Sequence, residues 1–430
     1  MSNTKQEFLK SAVLYELCIR NHTEEGTIRK ASEDLNRLKQ LGVDIIYLMP
    51  VHPVSCTNRK GSEGSPYAIS DYRAVHPDFG TEEDLGDFFG KAHSLGLKVI
   101  MDVVYNHMGR DSVLLKEHPE WFLRDAEGNP TLKFTDWSDV YDLDYSVPDL
   151  WDYLIGSLDK WASLGADEFR CDVAPMVPLE FWKTARRTLH AKFDLIWLAE
   201  SVQPGFIKYL RDRGYHGHSD AELHRAFDLT YDYDGRACLE RYWGGRGSLA
   251  EYIRYIDIQE NMYPADAVKM RFLENHDQVR ISDIITNAVS RKNWYVFTML
   301  LPGAFLVWDG EESGLTKNVP LFEKEKIKWE EGDESFKPFF AQMLGLSKRI
   351  KRTCRQFSME EIGTGIVRLE WSGDGKSYTA IVNLEDKYGD IPVPGTIRGR
   401  ELLSGSDVRI DHTLRISKEP LLISHAKETK

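Results

Sequence analysis

Three segments of the chain share one pattern of apolar and polar positions: a helical stripe, a Leu-Gly stop, then an unbroken apolar run. In the first, Ile28, Ala31, Leu35 and Leu38 recur at helical spacing before Leu41-Gly42, and Ile45-Ile46-Tyr47-Leu48-Met49 follows. In the second, Thr81 stands at an N-cap, Leu85, Phe88, Phe89 and Ala92 share a face, and Leu95-Gly96 precedes Val99-Ile100-Met101. The third begins after Pro148, carries Leu150, Leu154, Leu158 and Trp161, and reaches Leu164-Gly165 before Glu168-Phe169-Arg170-Cys171. Glycine at the stop supplies the left-handed backbone that ends a helix, and a short apolar run suits a strand covered on both faces. This alternation predicts a parallel sheet.

Five further runs extend it: Val13-Leu14-Tyr15-Glu16-Leu17, Ile196-Trp197-Leu198-Ala199, Arg225-Ala226-Phe227-Asp228, Met270-Arg271-Phe272-Leu273 and Ala304-Phe305-Leu306-Val307. Eight strands in α/β alternation predict a (β/α)8 TIM barrel. The units occupy about 350 residues against the roughly 250 typical of that fold, so some loops are long. The longest, 106–147, follows the third strand, is rich in Asp, Trp and Tyr, and reads as a small loop domain. A doubly wound open sheet is the structural rival, but no GxGxxG turn follows the first strand. After a long helix from Ser335 to Lys351 the texture changes. Runs at 365–369 and 378–382 flank Ser372-Gly373-Asp374-Gly375, a hairpin signal. The expected organisation is a catalytic barrel over 1–354 that includes the 106–147 loop domain, then a C-terminal antiparallel β domain over 355–430. Its tail from Ala426 is expected to fray.

Composition narrows the function. The 68 acidic residues outnumber 55 basic ones, leaving a net charge of −13 and no long basic run, which excludes a nucleic-acid partner. No apolar stretch approaches the roughly 20 residues of a bilayer span. Met1 to Lys10 is polar where a signal peptide needs an apolar stretch. A cytoplasmic protein without a membrane partner is expected. Cys18, Cys56, Cys171, Cys238 and Cys354 are odd in number, scattered and without CxxC spacing, so neither a disulfide framework nor a zinc site is suggested.

Four predicted strands end in carboxylates: Asp102 on the third, Asp172 on the fourth, Glu200 on the fifth, and Glu274 and Asp277 on the seventh. Strand ends of a parallel barrel converge on one rim. A charge directly after an apolar strand is costly unless paired or solvated in a cleft. Residues two apart face the same way, so Glu168, Arg170 and Asp172 point into the barrel while Phe169 and Cys171 face the helices. Arg170 beside it keeps Asp172 ionised, whereas Glu200 follows apolar residues and is expected to hold its proton more readily. That division matches retaining glycoside hydrolysis, with one carboxylate as nucleophile and one carboxylic acid protonating the leaving oxygen. Spacing alone does not separate it from an ion-pair network or a divalent-metal site on the same rim.

The segments Asp102-Val103-Val104-Tyr105-Asn106-His107, Gly165 to Asp172, Leu198-Ala199-Glu200 and Phe272 to Asp277 resemble, in order, the four signature regions of the α-amylase family of glycoside hydrolases, family 13. Ser65 to Tyr72 with Pro77 to Thr81, His118 to Phe122, Asp142-Leu143-Asp144 and Asp309-Gly310-Glu311-Glu312 are similar to its flanking segments. The resemblance covers residues 12 to 330. It implies Asp172 as nucleophile, Glu200 as general acid/base and Asp277 as the carboxylate that stabilises the transition state. Asp102, His107, Arg170 and His276 then belong to the substrate-binding set, and Tyr67 offers its ring to the sugar's apolar face. A fixed anion at Asp277 suits an oxocarbenium-like sugar, whose positive charge exists only in the transition state.

Two departures bear on specificity and metal. Exo-acting α-glucosidases of this family usually carry Asp after the residue matching Tyr67, and Ala68 stands here, which points to an endo-acting or open-ended cleft. Asn106 matches a position that ligates structural calcium in many α-amylases. The intervening loop is shorter than usual and other ligands are not assignable, so no cofactor is required by the reading and calcium is left unassigned. The aromatic residues Trp121, Phe122, Trp137, Tyr141 and Tyr145 of the third loop serve either as stacking platforms for sugar or as that loop's own core. The expected activity is retaining hydrolysis of α-1,4-linked glucans or maltooligosaccharides through a covalent glycosyl-aspartate. The alternatives are a transglycosylase or sugar phosphorylase of the same family, or, in another class, a non-catalytic barrel used as a binding or scaffold module. Oligomeric state is not legible.

Overall fold

The structure, a computed structural model, describes residues 3–373 and 375–426. Asp374 in the expected hairpin turn and the tail beyond Ala426 lie outside the described residues. Eight parallel strands close into a barrel in sequence order: β1 (Val13–Leu17), β2 (Ile45–Leu48), β3 (Lys98–Val103), β4 (Glu168–Cys171), β5 (Ile196–Ala199), β6 (Leu229–Tyr231), β7 (Val268–Arg271) and β8 (Ala304–Trp308). Seven of the eight predicted strands overlap these. The sixth falls after its predicted run, because Asp220–Leu223 is helical and Arg225 to Phe227 complete the turn that ends it. Among the described residues no helix is long and apolar enough to cross a membrane.

By internal contacts the chain divides into two units, one of residues 14–234 and 319–328, the other of 1–13, 235–318 and 329–430. In the first, the Leu-Gly stops behave as their chemistry requires, with Gly42, Gly96 and Gly165 at φ of 102°, 68° and 131°. Thr81 caps the helix Glu82–Ser94 in a reciprocal box with Asp84. The first predicted helix is two, Ile28–Glu33 and Leu35–Leu41, meeting at Asp34. Register pairs Asp102 with Arg170, and Cys171 with Ala199, so Asp172 and Glu200 follow as side-by-side residues one step further along β4 and β5. Phe169 and Trp197 pack together, rings 5.8 Å apart, on the helix-facing side. The segment after β3 forms a small lobe, with strands His107–Gly109 and Val140–Asp142 paired antiparallel.

In the second unit, six antiparallel strands follow the helix Phe336–Thr353: β9 (Cys354–Gly363), β10 (Ile366–Gly373), β11 (Lys376–Asn383), β12 (Asp390–Glu401), β13 (Asp407–Arg415) and β14 (Leu421–Ala426), in spatial order β9-β10-β11-β14-β12-β13. Ile366, Ile381, Val393, Ile397, Ile410 and Ile423 form their core. Trp371 Nε1 donates to the Leu300 carbonyl at 2.8 Å, and the Asn293 side chain accepts from the Asn383 N–H at 2.8 Å, so this sheet is tied to the helix Ala288–Leu300.

Candidate active site

Arg170, on the inward face of β4 and without solvent exposure, is the hub of the first unit's site. Its Nη1 donates to both oxygens of Asp102, at 2.8 and 2.9 Å, and to Asp172 Oδ1 at 2.9 Å. Its Nη2 lies 2.6 Å from Glu200 Oε1. One planar guanidinium therefore holds three carboxylates from three neighbouring strands, a task its rigid fork performs and a lysine would not. Burial alone would push the guanidinium down. Asp102 and then Glu200 more than offset that and hold it well above its ordinary pKa. The rings of Tyr67, Tyr231 and Tyr47 surround it with centroids at 5.4, 5.6 and 6.0 Å.

Asp102 also accepts from the hydroxyls of Tyr47, at 2.7 Å, and Tyr67, at 3.0 Å. Glu200 Oε2 accepts the Val173 N–H at 2.7 Å, so with Arg170 at its other oxygen Glu200 does not stand among apolar groups as its strand suggested. That amide is aimed by an uncommon backbone: Val173, β-branched, has φ 34° and ψ 45°, a left-handed conformation disfavoured for such a residue and of the kind that concentrates at functional sites. Asp172 and Glu200 are 6% and 5% exposed, leaving each carboxylate only a sliver of solvent.

His107 stands at the start of the small lobe. Asn106 Nδ2 is 3.1 Å from His107 Nδ1, and the Trp137 ring lies 5.4 Å from its imidazole. Burial, opposed by Asp142, drives the imidazole pKa down to about 4, so His107 is neutral at ordinary pH. Asn106 Nδ2 also donates to Asp142 Oδ1 at 3.1 Å, and Lys133 Nζ donates to Asn106 Oδ1 at 2.8 Å. Trp137, Phe206 and Tyr209, partly buried, pack against Val173, Met176 and Leu210 beside these groups. Trp121 is buried and stacks on His118, ring centroids 3.9 Å apart, in accord with the loop-core reading for that residue.

In the second unit, Asp277 follows β7 with its side chain 42% exposed, and its carboxylate lies 3.3 Å from His276 Nε2. Two positions before His276, Glu274 is buried and bonded twice, to Arg280 Nη1 and to the Ile281 N–H, both at 2.8 Å. Within the first unit the structure thus gathers Tyr67, Asp102, Arg170, Asp172 and Glu200 into one cluster. Sequence reading missed Tyr47, Tyr231, Val173 and Arg280. Tyr47 was open to detection, because a tyrosine inside an otherwise aliphatic buried strand needs a partner for its hydroxyl, whereas Tyr231 lies on the sixth strand, beyond the run expected for it. Val173 carried no signal, since valine is the residue least expected to adopt positive φ.

Comparison with known proteins gives concordant results. A family model described as alpha amylase, catalytic domain, matches residues 19–391. The chain is 37% identical to an alpha-amylase from Lactobacillus plantarum of known crystal structure, with a TM-score of 0.92 over 98% of this chain and 100% of that one. It is 31% identical to the noncanonic maltogenic alpha-amylase AmyB from Thermotoga neapolitana, with a TM-score of 0.87 over 98% and 100%. Among curated proteins it is 33% identical over 216 residues to an alpha-1,4-glucan:maltose-1-phosphate maltosyltransferase from Arcanobacterium haemolyticum, covering 44% of this chain and 31% of that protein. Alpha-amylase MalA from Haloarcula japonica is 27% identical over 347 residues, 78% of this chain and 48% of that one. The chain thus spans about a third to about half the length of these curated relatives.

Proposed function

The chain belongs to the alpha-amylase catalytic-domain family, and from that premise we propose that it is a retaining glycoside hydrolase cleaving α-1,4-linked glucans or maltooligosaccharides. The observation that carries the reading is the single guanidinium of Arg170 holding Asp172 and Glu200 side by side at the ends of β4 and β5. Adjacent strands stand about 4.8 Å apart, close to the roughly 5 Å carboxylate separation of retaining enzymes. Asp172 attacks the anomeric carbon while Glu200 delivers its proton to the departing glycosidic oxygen. A β-glycosyl ester on Asp172 results. Glu200, now a carboxylate, takes a proton from water, whose oxygen displaces Asp172 and restores the α configuration. One cation cannot neutralise Asp102, Asp172 and Glu200 together, so the cluster has room for the proton that the acid must carry. Asp277 supplies the further anion that the oxocarbenium-like sugar needs, and Tyr67, His107 and His276 grip the sugar. In this reading the catalytic barrel occupies 1–354, with 106–147 as its lobe, and the β domain 355–430.

Transfer to a sugar acceptor is the second reading, favoured by the relatives named as maltosyltransferases. Hydrolysis is preferred because the chain matches the full length of the two alpha-amylase structures but only a third of the transferase from Arcanobacterium haemolyticum. Asp172→Asn and Glu200→Gln are each expected to abolish cleavage of maltooligosaccharides while circular dichroism stays native, and NMR within minutes of mixing should show the α anomer first. A tenth of the parent rate in either variant, or initial release of the β anomer, would refute the assignment. Product sizing with added maltose 1-phosphate or maltose separates transfer from hydrolysis.

A further inference from the structure

The small lobe contains a cation that belongs to the chain. Lys133, in the segment between the two short lobe strands, has its side chain 8% exposed and its Nζ 3.6 Å from Asp142 Oδ2. The same ammonium donates to Asn106 Oδ1 at 2.8 Å, and the Lys133 main-chain N–H donates to Asp142 Oδ2 at 2.9 Å. Asp142 Oδ1 accepts from Asn106 Nδ2. Asn106 and Asp142 have no solvent exposure.

Asn106 is where the family resemblance suggests calcium. The donor set does not fit that ion. Calcium takes six to eight oxygen ligands at roughly 2.3–2.6 Å. Here the Asn106 carbonyl oxygen already faces an ammonium, both Asp142 oxygens accept N–H donors, and the Asn106 amide directs hydrogens into the cluster. A divalent ion at this place would stand against a buried positive charge with no solvent to screen it.

We propose that Lys133 is a positioning residue that takes the place of a bound metal ion, and that the lobe and the Asn106-His107 turn are therefore independent of calcium. The ammonium fixes the Asn106 amide with its oxygen toward Lys133. The Asn106 NH2 is left to face Asp142 and His107 Nδ1, so Nδ1 accepts and the imidazole proton sits on Nε2. The lysine thereby sets the tautomer of a histidine two bonds of the network away.

The test begins with the unaltered protein, dialysed against EGTA and then returned to millimolar calcium. Elemental analysis should find well under one calcium per chain, and Tm should move by less than about 1 °C in either direction. A stoichiometric calcium content, or a Tm that falls more than about 3 °C in EGTA and recovers with calcium, would overturn the proposal. Lys133→Met should lower Tm by about 5 °C, because it strands the buried Asp142 carboxylate. The double variant Lys133→Met with Asp142→Asn should recover a good part of that loss. In 15N-resolved spectra of the imidazole, the parent should show the Nε2–H form of His107, and Lys133→Met should show a mixture of tautomers. A Lys133→Met protein indistinguishable from the parent in both Tm and tautomer would also dispose of the idea.

Discussion

Arg170 and Arg280 are both fully buried, yet they are surrounded in opposite ways. Arg280 forms a closed set. It donates to Glu274 and to the carbonyls of Asp309 and Lys317, and the other Glu274 oxygen is taken by the Ile281 N–H. Nearby Glu311 is pushed well above its ordinary pKa, first by burial and then by the Glu274 charge. The Asp309 carboxylate also acts on Arg280, after Glu274 and Glu311, but the guanidinium's own hydrogen bonds go to one carboxylate and two main-chain carbonyls. Arg170 meets three carboxylates. A set whose hydrogen bonds close on one carboxylate and main-chain oxygens fastens a chain segment. A set one or two positive charges short costs stability in the resting protein, and it becomes favourable when positive charge develops beside it, as on a sugar losing its leaving group. In the proposed reading, the difference separates a structural clasp from a site prepared for chemistry.

The largest effect should come from breaking both hubs. Arg170→Met leaves Asp102, Asp172 and Glu200 to repel one another, and kcat/KM is expected to fall by about a hundredfold to a few thousandfold, from the 3–5 kcal/mol typical of a stranded buried charge. Arg280→Met should lower Tm by about 5 °C or more while kcat of the folded fraction stays within about tenfold of the parent. Initial rates on maltooligosaccharides and circular dichroism melts measure both. If Arg280→Met proved as inactive as Arg170→Met while still folded, the distinction between clasp and site would fail.

The asymmetry between the two hubs also explains what could be read from sequence. Arg170 was legible because it sits in a strand: two-residue periodicity places Glu168, Arg170 and Asp172 on one face, and the register with β3 brings Asp102 to the same guanidinium. Barrel strands of four to six residues with Leu-Gly stops were legible for the same local reason. Arg280 was not, since it lies in a loop whose partners, Glu274, Asp309 and Lys317, converge only through the folded path of the chain. Lys133 was equally hidden, because a loop lysine ordinarily reads as solvated, and its burial depends on a lobe that no periodicity describes. The sixth strand was placed too early because Ala226-Phe227 is apolar for a different reason: it packs a turn, with Phe227 against Trp182.

Titration should sharpen the contrast with opposite slopes. His107 is buried neutral, its pKa lowered from 6.5 to about 4. The unfolded chain binds the proton more readily, so this group's contribution is intact above pH 6.5 and is lost as pH falls toward 4, by roughly 3 kcal/mol across the window. His107→Gln should remove that acid limb, which is read as the parent-minus-variant Tm difference falling between pH 6.5 and 4. Glu311 runs the other way. Its folded pKa lies above the ordinary 4.5, so the folded chain binds the proton more tightly and the group's contribution declines as pH rises above that value. Glu311→Gln should therefore gain on the parent with increasing pH. Slopes of the same sign in the two variants would mean that the two regions are not electrostatically distinct.

The smallest and most discriminating test removes one neutral partner from each hub. The Tyr47 hydroxyl donates to Asp102 at 2.7 Å, and Asn318 Oδ1 accepts the Arg280 N–H at 2.9 Å. Each hydrogen bond to a neutral or charged partner is worth on the order of 1–2 kcal/mol. In the Arg280 set that energy serves the fold alone, so Asn318→Ala should lower Tm by about 1–2 °C and leave kcat/KM as it was. In the Arg170 set Asp102 keeps Arg170 and Tyr67, so Tyr47→Phe should barely alter Tm. It does shift the balance among three carboxylates sharing one cation, and Arg170 is drawn toward Asp102 at the expense of Asp172 and Glu200. A drop of about tenfold in kcat/KM follows if turnover depends on that balance. A Tyr47→Phe enzyme with parent kinetics and a lowered Tm would place the Asp102 end of the cluster with the clasp, and leave only the Asp172 and Glu200 end to chemistry.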